Sequence, residues 1–197
     1  ALYHDYGPPE VVEIGEVRKP TVGDNEILVQ VITTTVNRTD CGFRSAEYFV
    51  SRFFSGLWKP KNKILGNEFA GVVESTGKDV TSFRPGDRVF GYNDATFGAH
   101  AEYLTIKADG AVAIIPGKLS FDEAAPILEG SHYALSDIRA ANVKPGQHVL
   151  VYGATGAIGS AAVQLLKYFQ AHVTAVCRGT HVDLVTSLGA DSVVDYQ

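Results

Sequence analysis

The segment 149–169 constrains the fold more than any other part of the sequence. A short apolar run, residues 149–152, leads into the glycine-rich turn Gly-Ala-Thr-Gly-Ala-Ile-Gly at 153–159. Beyond the turn, apolar residues recur at helical spacing, which predicts a single buried helix face. That face consists of Ile158, Ala161, Ala162, Leu165, Leu166 and Phe169. A strand, a glycine turn and a helix in this order predict the start of a parallel α/β sheet.

The residues that follow extend this unit. Residues 173–176 read as a second strand, 182–188 as a second helix that ends at Gly189, and 192–194 as a third strand. The whole is a βαβαβ unit, in which parallel strands are joined by right-handed crossovers.

The glycine-rich turn predicts a dinucleotide-binding site, because a pyrophosphate needs bare backbone and a helix N-terminus aimed at it. Gly156 would let the backbone approach the phosphates, and Gly159 would let the helix pack against the sheet. A strict G-x-G-x-x-G pattern would begin at position 154, which is alanine here. The candidate cofactor-binding residues are Gly153, Ala154, Thr155, Gly156, Ala157, Ile158 and Gly159.

The end of the second strand predicts which nicotinamide cofactor is bound. NAD sites usually carry an acid there, about 20 residues after the turn, to hold the ribose 2′-OH. Here the strand runs into Arg178, and no acid follows the turn before Asp183. A guanidinium can hold a 2′-phosphate, so the sequence favours NADP(H). A solvated loop residue is the alternative interpretation of Arg178.

The first three quarters of the chain are β-rich. Strands are expected at 27–32, 70–73, 88–90 and 101–106, with an irregular, aromatic and basic insertion between residues 40 and 63. A helical pattern begins at Ser120, which is predicted to be an N-cap with Glu123 in the capping-box position.

Composition narrows the function classes. The net charge of −5 gives no sign of a nucleic-acid partner, and no apolar run is long enough to predict a membrane span. Two cysteines, Cys41 and Cys177, are too few for a disulfide framework, which favours a cytoplasmic protein.

Motifs spread over the whole chain resemble those of the medium-chain dehydrogenase/reductases, in the zinc-free, quinone-oxidoreductase-like branch. They lie at 6–11, 36–40, 66–73, 85–89, 98–103, 152–159 and 188–191. The resemblance implies a GroES-like catalytic domain over 1–144, with linking helices from about 120, followed over 145–197 by the N-terminal half of an incomplete Rossmann NADP-binding domain. It also implies an active site in the cleft between these domains. We expect a homodimer.

The resemblance also predicts whether the chain binds a zinc ion. Zinc-dependent members have a cysteine where this chain has Asn37 and a histidine where it has Asn67, and an amide is a poor Zn²⁺ ligand. No metal site is therefore expected, and His100 and His132 are interpreted as core or surface residues. The branch often has a tyrosine at the position of Gly42. The resemblance to this branch also implies that His181 and Tyr196 help to hold the 2′-phosphate of the cofactor.

The expected reaction is hydride transfer from NADPH to a small carbonyl substrate, a quinone or an α,β-unsaturated carbonyl, without zinc. Asn37 is the catalytic candidate, and a turn residue that satisfies its own backbone is the equal alternative. Three other functions stay open: a zinc-type alcohol dehydrogenase with substituted ligands, a nucleotide-binding protein without catalysis, and an enoyl-reductase module of a larger synthase.

The sequence ends as the third strand of the nucleotide unit begins. A doubly wound domain needs two βαβαβ halves. We therefore expect these 197 residues not to be the whole functional protein, and Leu165 and Leu166 to be poorly covered. The aromatic residues between 43 and 58 could shape a substrate pocket, pack in the core or form a subunit contact.

Overall fold

The computed structural model describes residues 1–197, apart from the side chain of residue 51. The chain divides into two compact units, Ala1–Pro126 and Ile127–Gln197. The second unit begins earlier than the predicted boundary between residues 144 and 145. The reason is that helix α4 (Leu128–Ala140) packs along helix α5 (Ala157–Tyr168), so it shares the core of the second unit.

The first unit is built on a five-stranded antiparallel sheet with strand order β6-β3-β4-β5-β7. Its strands are β3 (Glu26–Thr34), β4 (Glu68–Thr76), β5 (Arg88–Tyr92), β6 (Tyr103–Lys107) and β7 (Val112–Ile114). The four predicted strands are confirmed, and β7 is an addition to them. A short antiparallel pair, β1 (Leu2–Tyr3) and β2 (Val12–Glu13), completes the strands of this unit.

The core of this sheet follows from strand alternation. Ile27 and Val29 on β3 and Val73 on β4 are at most 1% exposed, and Phe69 packs in the same cluster. Alternate residues of a strand point to one face, so these side chains meet on the same side of the sheet.

The first unit contains the short α-helices α1 (Arg38–Ser45), α2 (Arg52–Ser55) and α3 (Phe121–Ala124). The predicted capping box at α3 is confirmed, since Glu123 N donates to Ser120 Oγ at 3.2 Å and Ser120 N donates to Glu123 Oε2 at 2.8 Å. The expectation of an irregular insertion at 40–63 is wrong over α1 and α2. A second capping box, between Asn37 and Asp40, starts α1 there.

The second unit holds a three-stranded parallel sheet of order β10-β9-β8. Strands β8 (His148–Tyr152), β9 (His172–Cys177) and β10 (Ser192–Asp195) alternate with α5 and with α6 (Val182–Ser187). The predicted βαβαβ order is confirmed.

The predicted face of α5 is confirmed except at its first residue. Leu166 is buried, and Ala162, Leu165 and Phe169 pack partly buried against the same core, whereas Ile158 is 46% exposed. Gly159 and Val163, which the prediction did not include, are buried as well. The expectation that Leu166 is poorly covered is wrong, since it is 1% exposed within the core; Leu165 packs partly buried against it.

Candidate functional site

The glycine-rich turn of the second unit is held by the neighbouring strand. The backbone N–H groups of Gly153 and Ala154 both donate to Val176 O at 3.2 Å, and Gly156 N donates to Gly153 O at 3.0 Å. Gly153 has a φ of +73°, in the left-handed region that favours glycine. The turn therefore leaves β8 sharply and enters α5 within four residues.

The packing around Gly159 leaves no room for a side chain. A Cβ built on it would lie 2.2 Å from Gly153 O and 2.8 Å from Ala154 Cα. This confirms the packing role that the sequence predicts for Gly159. A second close approach, which sequence reasoning missed, occurs at Gly130 of α4. There a Cβ would lie 2.6 Å from Ala157 O, at the first residue of α5.

The N-terminus of α5 fits an anionic group. Gly156 is its N-cap and carries no side chain that could bind the first amides, which are left over by the helix itself. Residues 155–158 are exposed, and no side chain of the first turn is acidic. Uncapped amides and the positive end of the helix dipole suit a pyrophosphate.

The parallel sheet brings the other predicted cofactor residues to the same edge. Tyr152 ends β8 and is paired with Val176, while Arg178 and Tyr196 directly follow β9 and β10. The rings of Tyr152 and Tyr196 lie 6.3 Å apart between centroids. His181 N donates to Arg178 O at 2.8 Å, so one turn carries both side chains. The turn, Arg178, His181 and Tyr196 thus all lie at the carboxyl edge of the strands.

Sequence reasoning missed an acid at this edge. Asp195, the last residue of β10, is paired with Cys177, and a Cβ on Gly179 would lie 2.5 Å from Asp195 Oδ2. The carboxylate therefore lies against the backbone directly after Arg178. The acid comes from the third strand rather than the second, and its only sequence signal is an aspartate directly before Tyr196.

In the first unit, the two amides singled out by the sequence meet. Asn37 Nδ2 donates to Asn67 Oδ1 at 2.6 Å, although the residues are 30 apart in the chain. Glu68 joins them: its Oε2 accepts from Thr35 Oγ1 at 2.6 Å and lies 3.4 Å from Asn37 Nδ2. Asn67 is 0% exposed and Glu68 3%. This group, in which partly buried neutral donors meet the buried side chains of Asn67 and Glu68, is called the amide cluster below.

Glu68 is a residue that sequence reasoning did not single out. The signal was present, because an acid directly before the apolar run of β4 is unusual at a position buried in a sheet. Thr35 and Asn37 supply hydrogen bonds to it, as a buried carboxyl group requires.

A second buried carboxylate organises the loop beside the amide cluster. Asp40 accepts from Asn37 N at 3.1 Å and from Gly66 N at 2.9 Å, and it is 2% exposed. His100 Nε2 lies 3.8 Å from Asp40 Oδ2 and 2.8 Å from Thr35 O. His100 is thus a packed residue of the first unit, as predicted.

Asn37 has a clear structural role. Its side-chain oxygen accepts from Asp40 N at 3.1 Å, which makes it the N-cap of α1. The two predicted roles of Asn37, as a catalytic group and as a residue that satisfies the local backbone, concern opposite ends of one side-chain amide. The oxygen caps α1, and the Nδ2 group faces Asn67 and Glu68. A cavity of about 1140 Å³ in this unit is lined by Asp40, Cys41 and His100 but not by Asn37.

Among the side chains that the structure describes, no three of histidine, cysteine, aspartate and glutamate are grouped so as to hold a metal ion. Nor is any described helix both long and apolar enough to cross a bilayer.

Comparison with known proteins agrees with this architecture. Residues 23–117 match the alcohol dehydrogenase GroES-like domain family. The chain is 30% identical over 204 residues to a tomato (Solanum lycopersicum) 2-methylene-furan-3-one reductase, with 98% of this chain and 51% of that protein covered. It is 35% identical over 168 residues to the quinone oxidoreductase of the pig (Sus scrofa), covering 83% and 48%.

A solved structure extends the match to both units. The Escherichia coli quinone oxidoreductase, crystallised with NADPH, superposes with a TM-score of 0.82 and 28% identity, covering 99% of this chain and 57% of that one. The chain spans about half the length of the curated relatives that it matches.

A GroES-like sheet followed by a parallel nucleotide-binding unit defines a medium-chain dehydrogenase/reductase. Within that family, the chain belongs to the quinone-oxidoreductase-like branch. The resemblance seen in the sequence, and the α/β fold with a β-rich first part that it implied, are confirmed.

Proposed function

We propose that the protein is an NADP(H)-dependent oxidoreductase that transfers hydride to a quinone or an α,β-unsaturated carbonyl without using zinc. The observation that carries this proposal is the carboxyl edge of the parallel sheet. This edge combines an uncapped helix N-terminus with Arg178. Arg178 follows the second strand, about 20 residues after the glycine-rich turn, where dinucleotide-binding domains contact the ribose 2′ position. One relative is named a quinone oxidoreductase, another reduces a 2-methylene-furan-3-one, and a third was crystallised with NADPH.

Each candidate residue has a part in binding. The amides that follow Gly156 would hold the pyrophosphate, with the turn 153–159 kept close by the hydrogen bonds to Val176. Arg178 would hold the 2′-phosphate by its planar fork of donors, with His181 and Tyr196 beside it. When bound, the reduced nicotinamide supplies the hydride, so the protein has to orient the reactants and stabilise developing charge.

The amide cluster is the candidate for charge stabilisation. Reduction of a quinone or enone places negative charge on an oxygen, which a preorganised N–H can stabilise. Asn37 Nδ2 is the candidate donor, since its contact with Glu68 is long at 3.4 Å. Glu68 and Asn67 would then act as positioning residues that hold the amide in one orientation.

The test of the cofactor assignment is a pair of opposed substitutions. Arg178→Ala is expected to weaken NADPH binding by on the order of 1.5–3 kcal/mol, the value of a charge-assisted hydrogen bond, and to leave NADH nearly unchanged. Asp195→Asn removes the nearby carboxylate that repels a phosphate and is expected to strengthen NADPH binding. Calorimetry with both cofactors on both variants and on the unsubstituted protein measures these changes.

The control is Lys144→Ala, an exposed cation of the same unit that precedes the sheet. Equal losses for NADPH and NADH in Arg178→Ala, or tighter binding of NADH by the unsubstituted protein, would contradict the assignment. The homodimer and the cytoplasmic location stay predictions.

A further inference from the structure

Residues 44–63, called the aromatic–basic segment below, differ in composition from the rest of the chain. Within twenty residues they hold five aromatic residues, and five basic residues stand against a single acid, Glu47. The whole chain, by contrast, carries a net charge of −5. The segment is therefore a local positive and aromatic region on an acidic protein.

The aromatic side chains of this segment point away from the core. All five are between 62% and 84% exposed: Tyr48, Phe49, Phe53, Phe54 and Trp58. Val50 and Leu57 add apolar surface at 66% and 42% exposure. Only Phe43, which precedes the segment, packs inward, with its ring 4.8 Å from that of Phe97. Core packing, one of the three explanations open from the sequence, is thus wrong for the five.

The segment is held in place from beneath. Tyr6 Oη lies 2.8 Å from Ser55 Oγ and donates to Gly56 O at 2.6 Å, and Lys61 N donates to Ser55 O at 2.8 Å. Gly56 has a φ of +124°, and a Cβ there would lie 2.1 Å from Lys59 O. An anchored turn on its inner side therefore presents the aromatic rings outward, and neither cavity described in this unit is lined by them.

The positive charges have different surroundings. Arg52 lies over the Tyr6 ring at 5.1 Å, and Lys59 forms a 3.1 Å ion pair with Asp5. Lys61 and Lys63 are exposed at the end of the segment. Lys61 and Lys63 thus follow Trp58 within five residues of the chain, as exposed cations of the same segment.

We propose that the aromatic–basic segment docks the protein on the surface of an anionic lipid bilayer. Aromatic rings favour the interface between headgroups and hydrocarbon, and lysines near the surface are attracted by acidic lipids. A second copy of the chain fits less well, because a symmetric contact would oppose the same positive charges. The inference is independent of the proposed hydride transfer and concerns attachment to a surface, not a span.

Trp58 supplies the readout. It is the only tryptophan of the sequence and is 84% exposed, so its fluorescence reports directly on the segment. The protein is mixed with vesicles of phosphatidylcholine alone or of phosphatidylcholine with phosphatidylserine, and Trp58→Phe supplies the background. We expect a blue shift and co-sedimentation with the phosphatidylserine vesicles, both reduced by high salt because the attraction is screened.

Substitutions within the segment test its two components. Phe53→Ser with Phe54→Ser is expected to abolish the blue shift. Lys61→Gln with Lys63→Gln is expected to weaken binding about fivefold for each lysine, on the order of 25-fold together. The matched controls are Ile14→Ser with Tyr168→Ser, which are 90% and 79% exposed, and Lys107→Gln with Lys118→Gln, all outside the segment.

Three outcomes overturn the proposal. One is no shift with phosphatidylserine vesicles, and another is an equal loss in the control variants. The third is a shift that depends on protein concentration without lipid, which would assign the segment to contacts between copies. Far-ultraviolet circular dichroism of each variant separates loss of binding from loss of fold.

Discussion

Single residues in this chain often serve two structures at once. Asn37 caps α1 through its oxygen and binds Asn67 through its nitrogen, so a change at this position affects a helix start and the amide cluster together. Asp40 similarly ties α1 to the loop at Gly66. Loss of activity after substitution of either residue would therefore not by itself identify a catalytic group. For Asn37, a split between binding and turnover is needed to separate the two roles.

Tyr3 gives a prediction about alkaline pH. Burial, assisted by Tyr6 and the charge of Asp40, raises the pKa of Tyr3 from 10.0 to about 12. The unfolded chain therefore loses this proton at lower pH than the folded one. The stability involved is complete below pH 10 and is lost as the pH rises towards 12.

Replacing Tyr3 by Phe removes the ionisation, so the decline in unfolding midpoint above pH 10 should become shallower. Denaturant unfolding at pH of about 8 and about 11 measures this. Tyr168→Phe, at a 79% exposed ring, should keep the full decline. If Tyr3→Phe declines as steeply as the unsubstituted protein, another group controls alkaline unfolding.

At the scale of elements, close backbone approaches decide which helices can pack. In the second unit α4 meets α5 where Gly130 faces Ala157 O, and α5 meets its own turn at Gly159. Both contacts exclude a Cβ, and both lie at the start of α5. The amides proposed to bind a pyrophosphate are thus placed by two glycines, one in the turn region and one on a separate helix.

Gly130→Ala is accordingly expected to destabilise the second unit by about 1–3 kcal/mol, as overpacking does. Gly42→Ala is the matched control, since it is also a helical glycine but has no atom within 4 Å of its Cβ position. There the better helix propensity of alanine should leave stability unchanged or raise it by up to about 1 kcal/mol. Chemical denaturation followed by hydrogen exchange in each unit measures both. A Gly130→Ala protein as stable as the unsubstituted one would show that α4 can move away.

Most elements could be predicted because their signals are local. The turn at Gly153, the capping box at Ser120 and the alternation around Ile27 each lie within a few neighbouring residues. What could not be predicted depends on contacts distant in sequence. Ile158 looked buried because it shares the spacing of the buried face, but Gly159 makes the close contact at the start of α5. Asp195 was missed because only strand register brings it beside Gly179.

At the scale of the whole chain, the sequence makes a prediction about cofactor binding in one unit and about metal binding in the other. The second unit carries the glycine-rich turn for which dinucleotide binding is predicted. In the first unit, the resemblance predicts that Asn37 and Asn67 stand where a zinc-dependent relative has its ligands, and these two side chains bind each other at 2.6 Å. Two neutral amides in direct contact satisfy one another and leave a poor site for Zn²⁺.

Turnover of a quinone with NADPH is therefore expected to survive a strong chelator, and elemental analysis of the active protein should find less than stoichiometric zinc. Added Zn²⁺ should give no gain. If chelation abolished turnover and added Zn²⁺ restored it, the zinc-free assignment would be wrong and the protein would be a zinc-dependent alcohol dehydrogenase.

The position of β3 in its sheet has a consequence for folding during synthesis. This strand pairs with β4 on one side and with β6 on the other, and β6 is made much later than β4. During synthesis the edge of β3 that awaits Tyr103–Lys107 stays bare while the intervening chain leaves the ribosome. An open strand edge is a template for wrong partners. Chaperone demand should therefore peak before β6 emerges, and the nucleotide unit, whose strands pair with near neighbours, should fold with less help.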